Sequence, residues 1–196
     1  LDAGTYTVRV VNATVTSSRT GYVVGLLPVQ TFRTDASTGT AVPVTDYVGG
    51  QNPAVADAGA GGAGVIMDTT TGVFIAGITG TAQSITNVTL ALIGSNVFDV
   101  DFGFNFNTIV NVNDSGQGSL RQFILNGNAL SNAGMAQVGR TPGIDNAVFE
   151  IPGPGPHTIA PATWLPSITD PVVLDGTTQP GFSGNPIIEL DGSATT

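Results

Sequence analysis

A polar stretch at 111–119, "NVNDSGQGS", contains two short motifs that resemble parts of known active sites. Within it, "DSG" resembles the surroundings of some protease serines, and "GQG" resembles glycine-rich loops that bind phosphate. A serine nucleophile needs a histidine base and an orienting acid, but the one histidine is His157, beside the corner "PGPGP". The chain contains no lysine, so the phosphate interpretation lacks the lysine of a P-loop. Neither motif therefore predicts an active site.

The residues that follow this loop predict a short α-helix near 119–126. Ser119 and Gln122 have the spacing of a capping box, in which the serine hydroxyl accepts from the amide three residues later and the glutamine reaches back. Apolar residues then recur at the spacing of one helix face, namely Leu120, Phe123 and Ile124, with Gly127 one turn later. We interpret five of these residues as a structural cap: Ser119, Leu120, Gln122, Phe123 and Ile124.

Two aspartates in a weak internal repeat form the second candidate site. The segment "VVLDG" (172–176) recurs as "IELDG" (188–192), which aligns Asp175 with Asp191. If the two segments were neighbouring strands, the carboxylates would stack about 4.8 Å apart. Such a pair could share a Ca²⁺ ion or act as the acid and base of a polysaccharide-cleaving enzyme. Each aspartate could instead cap its own turn, which is the preferred interpretation.

The composition limits the other functional classes. The chain has 196 residues, no cysteine and a net charge of −9, and only 10% of its residues are charged. Without cysteine there is no disulfide and no thiolate for catalysis or zinc binding. The acidic charge would repel a phosphate backbone, which disfavours nucleic-acid binding. No apolar run approaches the roughly 18 residues of a membrane helix, so no membrane insertion is predicted for this segment.

The first half of the chain is predicted to form strands. Apolar and polar residues alternate in "GTYTVRVVNATV" (4–15), and "NVFDVDFGFNF" (97–107) places Phe98 on a buried apolar face with the alternate residues that follow it. Further strands are predicted at 21–34, 72–78 and 84–94. The segment "DAGAGGAG" (57–64) is predicted to be a flexible loop, because ordering glycine costs the most backbone entropy.

The second half has shorter apolar bursts, which are separated by corners such as "PGPGP" and "TTQPGFSGNP". Short strands, sharp corners and the weak repeat favour a parallel β-solenoid, in which each coil stacks on the previous one. A β-sandwich remains the alternative. In a solenoid, the helix near 119–126 would cover the core and the unpaired strand edges of the first coil.

Several motifs in this half point to one group of proteins: "NDSGQGSLRQFILNGNAL", "PGPGPHTI", "LPSI", "VVLDGTTQPG" and "IELDGS". With these motifs, residues 108–196 resemble the capped N-terminal start of right-handed parallel β-helix regions in very large bacterial surface proteins. The resemblance implies an extracellular, repeat-rich scaffold rather than a particular enzyme.

The motifs "AGTYTVRV" (3–10) and "NVFDVDFGFNF" (97–107) give residues 1–107 a different resemblance. They resemble part of the B-type domain of collagen adhesins and serine-aspartate-repeat proteins, an Ig-like β-sandwich. In that family the "G-x-Y-x-V" strand follows several others, whereas here it begins at residue 4. Either the earlier strands lie outside this sequence or the sheet is completed in another way. The isopeptide bond of some members cannot form without lysine.

These observations predict an all-β chain in two parts. Residues 1–107 are a partial Ig-like β-sandwich module, and residues 108–196 are the start of a right-handed parallel β-helix with its capping helix. The predicted function is structural and non-enzymatic: a segment of a bacterial cell-surface or secreted protein, as a self-assembling filament subunit or an adhesin stalk. Its expected partners are copies of itself or neighbouring domains, bound through open β-edges, with polysaccharide as a further candidate.

No catalytic residue and no cofactor are predicted, apart from Ca²⁺ as a candidate at Asp175 and Asp191. The alternative function is a carbohydrate-binding or polysaccharide-cleaving β-helix protein. Cleavage by a lyase would also need a basic residue, and none follows Arg140 in the chain.

Overall fold

The computed structural model of this chain describes residues 1–34, 41–43, 52–57, 83–98, 100–136 and 139–196. In these ranges the chain is mainly β, with a single α-helix, α1, at Leu120–Ala129. Short 3₁₀ turns lie at Asn12–Thr14 and Gly176–Thr178. The strands are β1 (Gly4–Val10), β2 (Val29–Thr34), β3 (Ala41–Pro43), β4 (Ser84–Leu90), β5 (Phe102–Asn105), β6 (Thr108–Ile109), β7 (Asp145–Phe149), β8 (His157–Ile159), β9 (Val172–Asp175) and β10 (Ile188–Leu190). The all-β prediction is confirmed as a mainly-β fold.

Two antiparallel sheets form in the first part of the chain. One pairs β1 with β4, and the other has the order β3–β2–β5. In β4, Val88 and Leu90 are buried while Thr89 between them is exposed, as expected where successive side chains face opposite sides of a sheet. The register of β2 against β5 shifts between Gln30 and Phe32.

All four strands predicted in the described part of residues 1–107 are shorter than expected. The strand predicted at 4–15 ends at Val10, and the strand predicted at 84–94 ends at Leu90. The strand predicted at 21–34 begins only at Val29, because Gly21 and Gly25 have φ values of +94° and +105° and turn the chain before it. In the motif at 97–107, β5 begins only at Phe102, which is the residue at which it starts to pair with β2. Phe98 is 74% exposed, so its predicted place on a buried face is wrong. The predicted strand at 72–78 and the loop at 57–64, apart from residue 57, lie outside the described residues.

Residues after 107 form two parallel sheets. The first has the order β6–β7–β9, and the second pairs β8 with β10. The registers place Leu174 opposite Ala147 and Leu190 opposite Ile159. Because paired parallel strands keep side chains of one orientation in line, the inward positions of β7 and β8 are followed by the inward positions of β9 and β10.

The weak repeat at 172–176 and 188–192 does not correspond to neighbouring strands. β9 pairs with β7, whereas β10 pairs with β8. Asp175 therefore ends β9 while Asp191 follows β10 in the other sheet, and the alternative in which their carboxylates stack on adjacent strands is wrong. The two segments are similar because each is a short strand followed by a turn.

The main apolar cluster lies between α1 and the parallel sheets. It contains Leu120, Phe123 and Ile124 from the helix, together with Ile109, Ala147, Phe149, Ile151 and Ile159. Burying each large apolar side chain contributes about 1.5–3 kcal/mol relative to leaving it exposed. The apolar face of α1 is thus a main part of this core.

Candidate functional site

The polar loop before α1 is a compact turn that approaches the chain just after β6. The backbone N–H groups of Val110 and Asn111 both donate to the carbonyl oxygen of Gly118, at 2.9 and 3.2 Å. Gly118 has a φ of +76°, and a Cβ atom there would lie 2.4 Å from Cγ2 of Val110. The second glycine of "GQG" is therefore required for the close approach of two backbone segments.

The serine of the protease-like motif, Ser115, and the histidine that it would need, His157, lie in different surroundings. Ser115 is exposed on the loop, whereas His157 is buried at the start of β8. The Nε2 atom of His157 lies 3.3 Å from Nε2 of Gln179. Gln179 in turn donates to and accepts from the backbone of Ile151, at 2.6 and 2.9 Å. This histidine and glutamine thus stabilise the chain between β7 and β9.

The start of α1 contains one half of the predicted capping box. The Ser119 hydroxyl accepts from the backbone N–H of Gln122 at 3.1 Å. The other half is absent, because the Ser119 N–H donates to the carbonyl oxygen of Gly116 at 3.1 Å. The Gln122 side chain points along the helix instead and donates to Oδ1 of Asn126 at 2.9 Å. The predicted reach of Gln122 back to Ser119 is therefore wrong.

The polar face of α1 and the loop before it contact the first part of the chain. Asn126 Nδ2 donates to the carbonyl oxygens of Leu27 and Phe106, both at 3.0 Å. Gln117 Nε2 donates to the carbonyl oxygen of Pro28 at 2.8 Å. Both side chains are buried. Sequence reasoning missed this contact, although Gln122 and Asn126 have the spacing of one helix face.

Arg121 joins α1 to two loops. Its Nε and Nη2 atoms donate to the backbone oxygen and Oδ1 of Asp114, at 2.9 and 3.0 Å. Nη2 also donates to Thr163, and Nη1 donates to the carbonyl oxygen of Trp164 at 2.7 Å. The hydrogen bond from Arg121, followed by that from the Ala162 N–H, holds the pKa of Asp114 below its ordinary value. Arg121 is thus a structural clamp.

Arg19 forms a second clamp, between the first part of the chain and the end of α1. Nε donates to the carbonyl oxygen of Ser131 at 3.0 Å. Nη2 donates at 2.9, 2.8 and 3.0 Å to Leu130 O, Asn132 Oδ1 and Asp145 Oδ2. No sequence signal identifies these partners, because they lie more than a hundred positions away and only the fold brings them to Arg19.

The two candidate calcium ligands are turn caps. Asp175 accepts from the backbone N–H of Thr177 at 3.1 Å and forms an ion pair with Arg140. Hydrogen bonds from the Thr177 side chain and from Arg140 lower its pKa. Asp191 accepts from the N–H of Ser193 at 2.8 Å, which lowers its pKa. The described residues contain no group of three or more His, Cys, Asp or Glu that could hold a metal ion. The calcium site stays a prediction.

The last strands of the parallel sheets have exposed apolar residues at inward positions. Leu174 and Leu190 are 45% and 55% exposed, whereas Ala147 and Ile159, over which they lie, are 0% and 2% exposed. In the described part of the chain, no strand pairs with the outer edge of β9 or β10. We term the outer edges of β9 and β10, together with Leu174 and Leu190, the open edge.

None of the helices within the described ranges is long and apolar enough to span a lipid bilayer. In comparisons with known proteins, no family model matches this chain, and no curated protein or solved structure matches it.

Proposed function

We propose that this chain is a non-enzymatic structural segment of a bacterial cell-surface or secreted protein. In this proposal, residues 108–196 are the capped first coils of a right-handed parallel β-helix, and residues 1–107 are a partial Ig-like module next to the cap. The observation that carries the proposal is the difference between the two ends of the parallel sheets. One end packs against α1, while the other presents the open edge.

The end that packs against α1 is covered by contacts from both faces of the helix. The apolar face of α1 buries Phe123 and Ile124 against the sheets, and its polar face is hydrogen-bonded to the first part of the chain through Asn126. Arg19 joins the chain after the helix to Asp145 of β7, and Arg121 joins the helix to the loops at Asp114 and Trp164. Such a cap prevents further strands from pairing at this end, as terminal caps do in repeat proteins.

The open edge has the opposite character. A further strand could pair with the free backbone groups of β9 or β10 and cover Leu174 and Leu190, as these leucines cover Ala147 and Ile159. Because each leucine is already about half buried, covering the rest of its side chain would contribute about 1 kcal/mol. We propose that a second copy of this chain covers the open edge, which would make the segment a subunit of an extracellular filament or stalk.

This proposal is tested by the concentration dependence of the molecular mass, measured by light scattering and sedimentation. We expect the mass to rise with protein concentration, and to rise further with salt, because salt screens the repulsion between chains of net charge −9. Leu190→Glu should reduce association, since it places a charge in the contact. The control is Leu92→Glu, which changes a 72% exposed leucine away from the parallel sheets and should associate like the wild type.

Two results would contradict the proposal. One is a monomer at all concentrations and salt conditions, with backbone amides of β9 and β10 that are protected from hydrogen exchange. The other is association that Leu190→Glu and Leu92→Glu weaken equally.

A further inference from the structure

A polar cleft of about 310 Å³ lies beside the Arg19 clamp. One wall is the hydroxyl-rich loop at 16–18, and the other is the end of β5 with the residues that follow it, at 104–107. The volume lies at the lower end of the range for small-molecule sites. The described residues therefore line an open cleft in which a sugar-sized ring would fit.

The walls of this cleft are held in place before any ligand binds. The backbone N–H of Arg19 donates to the Ser17 hydroxyl at 3.1 Å, which fixes the loop. On the opposite wall, Oδ1 of Asn105 accepts from the backbone N–H of the residue two positions later. The ring of Phe106 packs edge-on against Tyr22, with centroids 6.3 Å apart. A preformed site loses little conformational entropy on binding.

Several polar groups in the cleft retain hydrogen-bonding capacity. In the described part of the chain, no hydrogen bond is formed by the hydroxyls of Thr16 and Ser18 or by Nδ2 of Asn105. Nη1 of Arg19 likewise forms none with the described residues, although Nε and Nη2 are fully used. The two hydroxyls both donate and accept, so this set suits a ligand that is itself rich in hydroxyl groups.

The charge of the cleft favours a neutral ligand. The guanidinium of Arg19 is already paired with the buried carboxylate of Asp145 at 3.0 Å, and the whole chain has a net charge of −9. An anion would gain little from a cation that is already neutralised and would be repelled by the rest of the surface. Phe104 adds a half-buried aromatic side chain to the wall at 104–107.

We propose that this cleft binds a neutral pyranose unit of a polysaccharide. The weakly positive C–H face of the sugar ring would lie on the electron-rich face of Phe104, and its hydroxyls would exchange hydrogen bonds with Thr16, Ser18 and Asn105. The proposal goes beyond the structural function and does not depend on it, because the cleft is far from the open edge in sequence and shares no residue with it.

The test is a titration of ¹⁵N-labelled protein with three neutral trisaccharides, maltotriose, cellotriose and chitotriose, followed by amide chemical shifts. At least one trisaccharide should cause saturable shifts that are concentrated at 16–19 and 104–107. Inorganic phosphate and glucuronic acid are the anionic probes and should cause none there. The proposal is overturned if no trisaccharide gives saturable shifts at these amides, or if either anion binds there more tightly than every trisaccharide.

Variants then separate binding from folding. Thr16→Val keeps the side-chain shape, and in combination with Ser18→Ala it should weaken binding about tenfold through the loss of two modest hydrogen bonds. Phe104→Leu should weaken binding by a similar factor, whereas Phe98→Leu, at an exposed phenylalanine outside the cleft, should not. Equal affinities in the double variant and the wild type would overturn the proposal. Leu190→Glu should bind the sugar normally, so that loss of assembly and loss of sugar binding are told apart.

Discussion

Nη2 of Arg19 lies 3.0 Å from Oδ2 of Asp145, and this ion pair joins residues that are 126 positions apart. The Asp145 side chain has no solvent exposure, and its Oδ1 atom accepts from Asn107 Nδ2 at 2.9 Å. A buried carboxylate that loses its cation is costly, because neither water nor an opposite charge then stabilises it. The central strand of the three-stranded parallel sheet, β7, which begins at Asp145, therefore depends on a residue of the first part of the chain.

We predict that Arg19→Leu lowers the free energy of unfolding by about 3 kcal/mol, because it leaves the Asp145 carboxylate buried and unpaired. Adding Asp145→Asn should recover part of this loss, because the neutral amide no longer needs a cation. Urea unfolding of the two single variants and the double variant measures the coupling.

Arg140→Leu is the matched control for this ion pair. Its partner Asp175 is only partly buried, so the expected loss is about 1 kcal/mol or less. Equal losses for Arg19→Leu and Arg140→Leu would show that the Asp145 carboxylate does not need Arg19.

We predict that Arg121→Lys destabilises the chain by about 1–2 kcal/mol although the charge is kept. Lysine cannot reproduce the fork of donors that contacts Asp114, Thr163 and Trp164 together. Hydrogen exchange at the Ala162 amide, which donates to Asp114 at 2.9 Å, should become faster. The control is Leu125→Ala on the same helix, a 42% exposed position. Unchanged exchange at Ala162 in Arg121→Lys would contradict the clamp.

The sequence predicted what depends on near neighbours. Alternation indicated β1, and the apolar spacing at Leu120, Phe123 and Ile124 indicated the buried face of α1. The short apolar segments and the Pro/Gly-rich corners after residue 107 also indicated short strands separated by corners. The strand predicted at 97–107 begins later than its alternation suggested, because β5 starts where it pairs with β2.

What the sequence did not predict depends on distant residues. The similarity of the two "LDG" segments suggested neighbouring strands, but pairing is set by where the corners turn the chain, which places β10 next to β8. The partners of Arg19 could not be identified, since four acceptors from 130 to 145 converge on it only after folding. The cleft at 16–18 was missed for the same reason, because its second wall lies at 104–107.

We predict that Glu150→Gln stabilises the protein near pH 7 and has little effect below about pH 4. Burial raises the pKa of Glu150 in the folded state. In the unfolded chain this carboxyl has a pKa of about 4.3, and below that pH it is protonated in both states and does not destabilise the fold. As the pH rises through the folded pKa, the carboxyl ionises in its partly buried position, and the free energy of unfolding decreases. Glutamine does not ionise and avoids this loss. The gain should stay below about 1 kcal/mol, because the side chain is only half-buried and solvent screens its charge.

The measurement is the difference in thermal midpoint between Glu150→Gln and the wild type at several pH values. Asp114, Asp175 and Asp191 have lowered pKa values and destabilise both proteins at low pH, so the difference isolates Glu150. Glu189→Gln, at an exposed carboxylate, is the control for the effect of the Glu-to-Gln substitution itself. A Glu150→Gln gain that is constant with pH would argue against an effect of ionisation.

We predict that Gly118→Ala and Gly116→Ala differ in cost although both glycines have positive φ values, +76° and +88°. Alanine in this left-handed region costs about 1–2 kcal/mol at either position. At Gly116 nothing lies within 4 Å of the added Cβ, whereas at Gly118 it meets Val110 Cγ2 at 2.4 Å. Gly118→Ala should therefore destabilise by more than about 3 kcal/mol, because overpacking adds to the backbone cost. Urea unfolding compares the two variants. Similar losses at the two positions would mean that the loop can move away from Val110, and that the Gly118 contact does not fix the start of α1.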